Sequence, residues 1–122
     1  MDIQQFFEFC LSKRGVSEHF PFDKDTLVFK VAGKIFALSS LRSWEIGTPT
    51  INLKCDPEKA EEFRASFNDI KPGYHMSKRH WNTLTLNGDV SDSLALELIN
   101  HSYNLVFSSL PRKTKEKINM DD

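Results

Sequence analysis

The sequence lacks a long apolar segment, and it contains little glycine and proline. No apolar run approaches the roughly 20 residues that a membrane-spanning helix needs. The first residues, Met1 to Gln5, have neither the basic start nor the apolar stretch of a secretory signal. We therefore expect a cytoplasmic protein with no membrane partner. Glycine and proline contribute five residues each, which excludes collagen-like and low-complexity chains.

The sequence also lacks the cysteine and histidine patterns of disulfide frameworks and metal sites. Cys10 and Cys55 occur without a Cys-x-x-Cys motif, so we predict two free thiols in a reducing compartment. His75 and His80 are five residues apart, a spacing that would place them on different faces of a helix. Because no cysteine or carboxylate cluster accompanies them, we expect neither a metal site nor a cofactor.

No recognisable motif of a catalytic site is present. The sequence shows no nucleophile paired with a base, no glycine-rich phosphate loop and no carboxylate pair in a plausible pocket. We therefore expect that the protein is not an enzyme, and we assign no catalytic residue.

The chain has the size and composition of one globular domain, with 122 residues of which 39% are hydrophobic and 27% charged. We expect a single domain over residues 1–122 in which about residues 113–122 form a charged C-terminal tail.

The formal net charge of −1 gives the whole molecule no bulk attraction to nucleic acid. Cations are nevertheless concentrated in residues 71–88, which contain no acid, and in residues 111–117, which contain one. Alternatively, these two segments are ordinary charged surfaces in contact with solvent and bind no partner.

Three helices are predicted from apolar residues at helical spacing. The first begins at Asp2 and ends at Gly15, the second begins at Asp56 and ends before Pro72, and the third runs from Ser91 to about Leu110. Residues after Pro111 are predicted to form a short helix that frays into the tail.

Alternating β-branched and aromatic residues predict the strands. The predicted segments are 26–31, 34–39, 50–55, a strand or extended arm from residue 74, and 81–86. A tight turn at Ala32 and Gly33 joins the first two strands. Residues 20–22 are predicted to be a rigid extended entry into the sheet, and residues 40–49 a loop able to hold a binding surface. This order, α-β-β-β-α-β-β-α, predicts an α+β fold whose antiparallel sheet has its helices packed on one face.

One segment has the composition of a nucleic-acid contact. Residues 71–82, Lys-Pro-Gly-Tyr-His-Met-Ser-Lys-Arg-His-Trp-Asn, combine cations, histidines and aromatics without one acid. Phosphate contact and base stacking require such residue types.

Four segments together resemble the MmcQ/YjbR family of small bacterial proteins. They are residues 28–37 (Val-Phe-Lys-Val-Ala-Gly-Lys-Ile-Phe-Ala), 53–58 (Leu-Lys-Cys-Asp-Pro-Glu), 72–83 (Pro-Gly-Tyr-His-Met-Ser-Lys-Arg-His-Trp-Asn-Thr) and 102–106 (Ser-Tyr-Asn-Leu-Val). The resemblance implies a two-layer α-β3-α-β2-α domain, compared with CyaY-like and secretion-chaperone folds, and DNA binding through a proposed double-wing motif. Iron binding of the CyaY kind is not carried over, because the first helix offers only Asp2 and Glu8 as acids.

The leading hypothesis from the sequence is a DNA-binding module. The wings would be the hairpin at Ala32 and Gly33 and the arm formed by residues 71–82, and the partner would be double-stranded DNA. The residues expected to contact nucleic acid are Lys30, Lys34, Lys71, His75, Lys78, Arg79, His80 and Asn82.

Two other functions remain open at the level of sequence. A protein-interaction or chaperone-like module would receive a partner peptide, with Trp44 and Trp81 as the partner-binding residues. For both tryptophans, packing within the fold is the alternative role. A small-molecule pocket beside His75, Lys78 and Trp81 is the third hypothesis. The sequence does not indicate the oligomeric state.

Overall fold

The structure, a computed structural model, describes residues 1–73 and 76–120. Its helices are α1 (Ile3–Leu11), α2 (Leu41–Glu45), α3 (Pro57–Ser66), α4 (Asp92–Ser108) and α5 (Arg112–Met120). Its strands are β1 (Val16–His19), β2 (Thr26–Val31), β3 (Lys34–Ser40), β4 (Thr50–Lys54), β5 (Ile70–Pro72) and β6 (Trp81–Thr85). No helix within these described ranges is long and apolar enough to cross a membrane.

The strands form one six-stranded antiparallel sheet in the order β1-β2-β3-β4-β6-β5. Strand residues alternate between the two faces, and the apolar set from β2, β3, β4 and β6 packs against α1 and α4. Phe29 lies at the centre of this packing and contacts Phe6, Phe7 and Phe36 with ring centroids 5.6 to 6.4 Å apart. The predicted α+β class, with an antiparallel sheet and helices against one face, is confirmed.

A buried hydroxyl ties α4 to the middle of the sheet. Ser102 is fully buried; its Oγ donates to the carbonyl oxygen of Phe36 and accepts from the backbone N–H of Lys54 at 2.8 Å. One side chain therefore satisfies polar backbone groups of both β3 and β4, which would otherwise be unpaired in the core.

The sequence indicated neither β1 nor α2. The first strand, Val-Ser-Glu-His, has no apolar alternation and lies at the edge of the sheet, where it pairs with β2. The segment at 40–49, predicted to be a loop, contains α2. Asp25 supports the start of this helix, because its Oδ1 accepts from the N–H of Arg42 at 2.9 Å and its backbone oxygen accepts from the N–H of Leu41 at 2.9 Å.

The second predicted helix ends at Ser66, before Pro72 as expected, and the residues between them include the short edge strand β5, which the sequence did not indicate. Of the predicted strand or arm from residue 74, residues 74 and 75 lie outside the described residues. Residues 78–80 form a turn rather than a strand.

The expected charged tail is mostly an ordered helix. The helix α5 covers Arg112–Met120, and its Ile118 is buried against the core cluster. A Cβ added to Gly15 would lie 3.2 Å from the Ile118 side chain, so the turn before β1 approaches α5 closely. Only residues 121–122 of the predicted tail lie outside the described range.

The prediction of free cysteines is confirmed, since Cys10 and Cys55 are both unpaired and buried. Burial raises the pKa of the Cys10 thiol to about 12. Burial, helped by the Asp56 carboxylate, raises the pKa of Cys55 to about 11. Both thiols are therefore poor nucleophiles at neutral pH.

The turn between β2 and β3 places Ala32 at φ +48° and Gly33 at φ +80°. A left-handed backbone is unfavourable for an alanine, whereas glycine adopts it freely. We expect Ala32→Gly to raise the free energy of unfolding by about 0.5 to 1 kcal/mol in urea titration. Ala65→Gly, at an exposed position inside α3, should lower it by a similar amount. Equal losses in both variants would contradict the positive φ at Ala32.

His101 on α4 links protonation to stability. The backbone N–H of Asp56 donates to His101 Nε2 at 3.1 Å, so this nitrogen must be unprotonated. Burial lowers the pKa of His101 in the folded protein, and the positive charge of Lys59 lowers it further. The Asp56 carboxylate acts in the opposite direction, but the net shift is downward. The unfolded chain thus binds this proton more readily, and the stability contributed by neutral His101 is lost as the pH falls below about 6.5.

We therefore expect the free energy of unfolding to fall between about pH 7.5 and 5, and to fall less steeply in His101→Gln. Urea titrations of both proteins across this range provide the measurement. Parallel curves for the two proteins would show that His101 does not carry the pH dependence.

Candidate functional site

The sheet face opposite the helices, named the open face, carries a regular arrangement of side chains set by strand register. One row runs across the sheet through the paired residues His19, Val28, Leu38, Asn52, Thr83 and Lys71. The neighbouring row contains two pairs, Lys30 with Ile35 and Lys54 with Trp81. Two lysines and a tryptophan from three strands, β2, β4 and β6, thus share one face near one end of the sheet.

Antiparallel pairing brings cations from separate segments to this end of the sheet. There β2 and β4 finish and β3 and β6 begin, and the turn that contains Lys78 and Arg79 directly precedes β6. The basic end is defined as Lys30, Lys34, Lys54, Lys78 and Arg79. Sequence reasoning assigned four of these five residues. It missed Lys54. Alternation in the sequence predicted only that this side chain points to solvent, whereas the pairing of β4 with β6 places it beside Trp81.

Hydrogen bonds fix the backbone that carries Lys78 and Arg79. The N–H groups of His80 and Trp81 donate to the Ser77 carbonyl at 3.2 and 3.0 Å. Arg64 on α3 donates to the Lys78 carbonyl at 2.8 Å, which holds the turn against the helix. Both cationic side chains are exposed on this fixed turn.

Gly73 is required beside this turn. Its N–H donates to the Trp81 carbonyl at 2.7 Å, and an added Cβ would lie 2.7 Å from the Cβ of Trp81. Since real Cβ atoms do not approach so closely, only glycine allows β5 to leave the sheet at this point.

The cations of the basic end form no ion pair within the described ranges. The nearest acid along the chain, Asp56, follows β4 and caps α3, where its Oδ1 accepts from the N–H groups of Glu58 and Lys59 at 3.1 and 3.3 Å. Positive charge at this end is therefore not neutralised by a carboxylate contact among the described residues.

Within the basic end, Lys34 pairs with Val31 and so projects toward the helix side of the hairpin, where it is exposed. The residues predicted to contact nucleic acid that do not belong to the basic end fall in different places. His80 is exposed in the turn, and Lys71 lies on the open face, one row in from the basic end. His75 lies outside the described residues.

Asn82 does not belong to this surface, which corrects the expectation that it contacts nucleic acid. Its side chain points to the helix side, is 2% exposed, and donates through Nδ2 to the Ala60 carbonyl at 3.4 Å. Alternation explains the difference, because Asn82 lies between Trp81 and Thr83, which both occupy the open face.

The two tryptophans named as partner-binding residues are packed differently. The Trp44 ring stacks on Phe6 with centroids 5.7 Å apart, and its indole N–H donates to Ser39 Oγ at 2.8 Å. This packing matches the structural alternative for Trp44 and leaves it no free polar atom. Trp81 is half-buried on the open face, and the pairing of β4 with β6 places it next to Lys54.

A groove of about 700 Å³ lies on the open face. Its lining residues are Phe22, Thr26, Ile35, Leu38, Ser40, Thr50, Asn52, Lys71, Pro72, Met76 and Thr83. The hypothesis of a small-molecule pocket named His75, Lys78 and Trp81. His75 lies outside the described residues, and neither Lys78 nor Trp81 lines this groove. Within the described part of the chain, no group of three histidine, cysteine or acidic side chains could hold a metal ion.

The chain is similar to two bacterial sequences along most of its length. It is 43% identical over 99 residues to the uncharacterized protein YbdF of Escherichia coli O157:H7, covering 80% of this chain and 78% of that protein. It is 30% identical over 116 residues to the uncharacterized protein YjbR of Escherichia coli K12, covering 95% and 96% of the two chains.

Solved structures show the same fold. The crystal structure of Deinococcus radiodurans protein DR2400, a DUF419 domain, matches 97% of this chain and 88% of its own with a TM-score of 0.88 and 34% identity. A Pseudomonas syringae crystal structure matches 87% and 99% with a TM-score of 0.73 and 32% identity. The YjbR family model matches residues 11–105. The chain therefore belongs to the YjbR family, also called DUF419 or MmcQ, as the resemblance in the sequence implied.

Proposed function

We propose that this protein is a DNA-binding module without enzymatic activity, and that it contacts double-stranded DNA through the basic end. The observation that carries the proposal is the convergence of five cations from the hairpin, β4 and the turn before β6, without a carboxylate contact in the described ranges. Phosphate contacts of this kind supply most of the affinity of proteins for DNA.

Two segments of the basic end, the β2-β3 hairpin and the turn before β6, suit a contact with two stretches of the DNA backbone. The β2-β3 hairpin carries Lys30 and Lys34, whereas the hydrogen-bonded turn before β6 carries Lys78, Arg79 and His80. Because both backbones are fixed before binding, little conformational entropy of the main chain is lost on contact. With phosphates as the main ligands and Asn82 buried, we propose binding with weak dependence on DNA sequence.

The packing of Trp44 argues against the alternative of a peptide-binding module anchored at this residue. An anchor must be able to insert into a partner, whereas this indole is stacked on Phe6 and already hydrogen-bonded to Ser39. Trp81 beside Lys54 instead offers an aromatic surface within the proposed DNA contact.

Salt dependence tests the proposal directly. If about four phosphates are neutralised, the affinity for a 20-base-pair duplex should fall roughly 100-fold between 50 and 200 mM salt. Fluorescence anisotropy of a labelled duplex measures this. Affinity that does not change with salt, or absence of binding at 50 mM salt, would refute the proposal.

Removing two of the cations should reduce both affinity and its salt dependence. We expect the double variant Lys78→Ala/Arg79→Ala to bind the duplex about 10-fold or more weakly, with a slope of log affinity against log salt that is smaller by about 2. The control is Lys24→Ala/Arg42→Ala, which removes the same charge from exposed positions at the opposite end of the sheet. Equal losses in the two double variants would indicate a nonspecific charge effect and contradict the proposed interface.

A further inference from the structure

We propose that the groove on the open face is a binding site for a small organic anion that has a flat apolar body and one anionic group directed at Lys71. This site is separate from the basic end, and it does not depend on DNA binding. The inference rests on the shape of the groove, its hydrogen-bond donors and the distribution of charge around it.

The groove has the size and the walls of a small-molecule site. A volume of about 700 Å³ lies within the range of roughly 300 to 1,000 Å³ that is typical of such sites. Ile35 and Leu38 contribute apolar floor from β3, and Phe22, Pro72 and Met76 line the sides. Phe22 is 67% exposed, so its ring is available to cover a ligand. Burial of the apolar surfaces of the ring and of the ligand against each other would favour binding.

Hydrogen-bond donors are present on this apolar surface. Asn52 uses its Oδ1 to accept from the Thr83 hydroxyl, which assigns its Nδ2 as a donor. This amide nitrogen has no partner among the described residues, nor has the hydroxyl of Thr50. With the Lys71 ammonium, the groove offers donors suited to the oxygens of an anion.

The charge around the groove is complementary to an anion at one end only. None of its lining residues is acidic, and Lys71 has no carboxylate partner in the described ranges. Lys30 and Lys54 lie on the same face, in the neighbouring row. The carboxylate of Asp25 is at the far end, where it accepts from the Ser40 hydroxyl at 2.6 Å. A bound carboxylate should therefore lie at the Lys71 end, with the apolar body over Leu38.

A matched pair of ligands tests the role of charge. The probes are 2-naphthoate and 2-naphthamide, which have nearly the same shape and differ in the anionic group. We expect 2-naphthoate to reach half-saturation at about 1 mM or below, and 2-naphthamide to bind about 10-fold more weakly. Titration followed by amide chemical shifts in nuclear magnetic resonance measures both affinities, and the largest shifts should be at Ile35, Leu38 and Asn52.

Three variants separate the contribution of Lys71 from that of the floor. Lys71→Ala should weaken 2-naphthoate about 10-fold and leave 2-naphthamide unchanged, whereas Leu38→Ala should weaken both ligands. Lys117→Ala removes an exposed cation from α5, on the helix side of the sheet, and should change neither affinity. The unchanged amide affinity of Lys71→Ala also shows that this variant keeps its fold.

The proposal is overturned by any of three results: no saturation with either ligand, equal affinities for the acid and the amide, or shifts confined to residues outside the groove. An effect of Lys117→Ala equal to that of Lys71→Ala would also overturn it, because the charge would then act without a specific contact.

Discussion

The packing of α4 against the middle of the sheet determines which residues of this protein remain available to a ligand. The helix is held by apolar contacts and by the buried hydroxyl of Ser102, which bonds to backbone groups of β3 and β4. Because the helices occupy one face, strand alternation assigns every second residue to the other. The position of the core on one side of the sheet therefore determines which residues form the open face, including Lys30, Lys54 and the lining of the groove.

Much of this architecture could be predicted from sequence, because the signals were local. Apolar spacing predicted α1 and α4, Asp56 and Pro57 marked the start of α3, and alternation predicted β2, β3 and β4. The edge strand β1 was missed because four mostly polar residues carry no alternation. The helix α2 was missed because its start depends on contacts with Asp25, which lies 16 residues before Leu41.

The candidate site was predictable in composition but not in geometry. The sequence singled out Lys30, Lys78 and Arg79, and the sheet brings them to one end. It could not show that Asn82 is buried, because this depends on which face of β6 meets α3. Nor could it show that Lys54 lies beside Trp81, since a pairing between strands so distant in sequence leaves no local pattern.

The two edges of the sheet have a consequence for the protein at high concentration. An unpaired strand edge is a template on which another copy can add a strand and begin to aggregate. Here β1 is only four residues long and carries Glu18, and β5 is only three residues long and ends with Pro72, which has no N–H to donate. Short, charged and proline-containing borders of this kind discourage self-association through the main chain. The open face can thus stay accessible without recruiting further copies along the edges of the sheet.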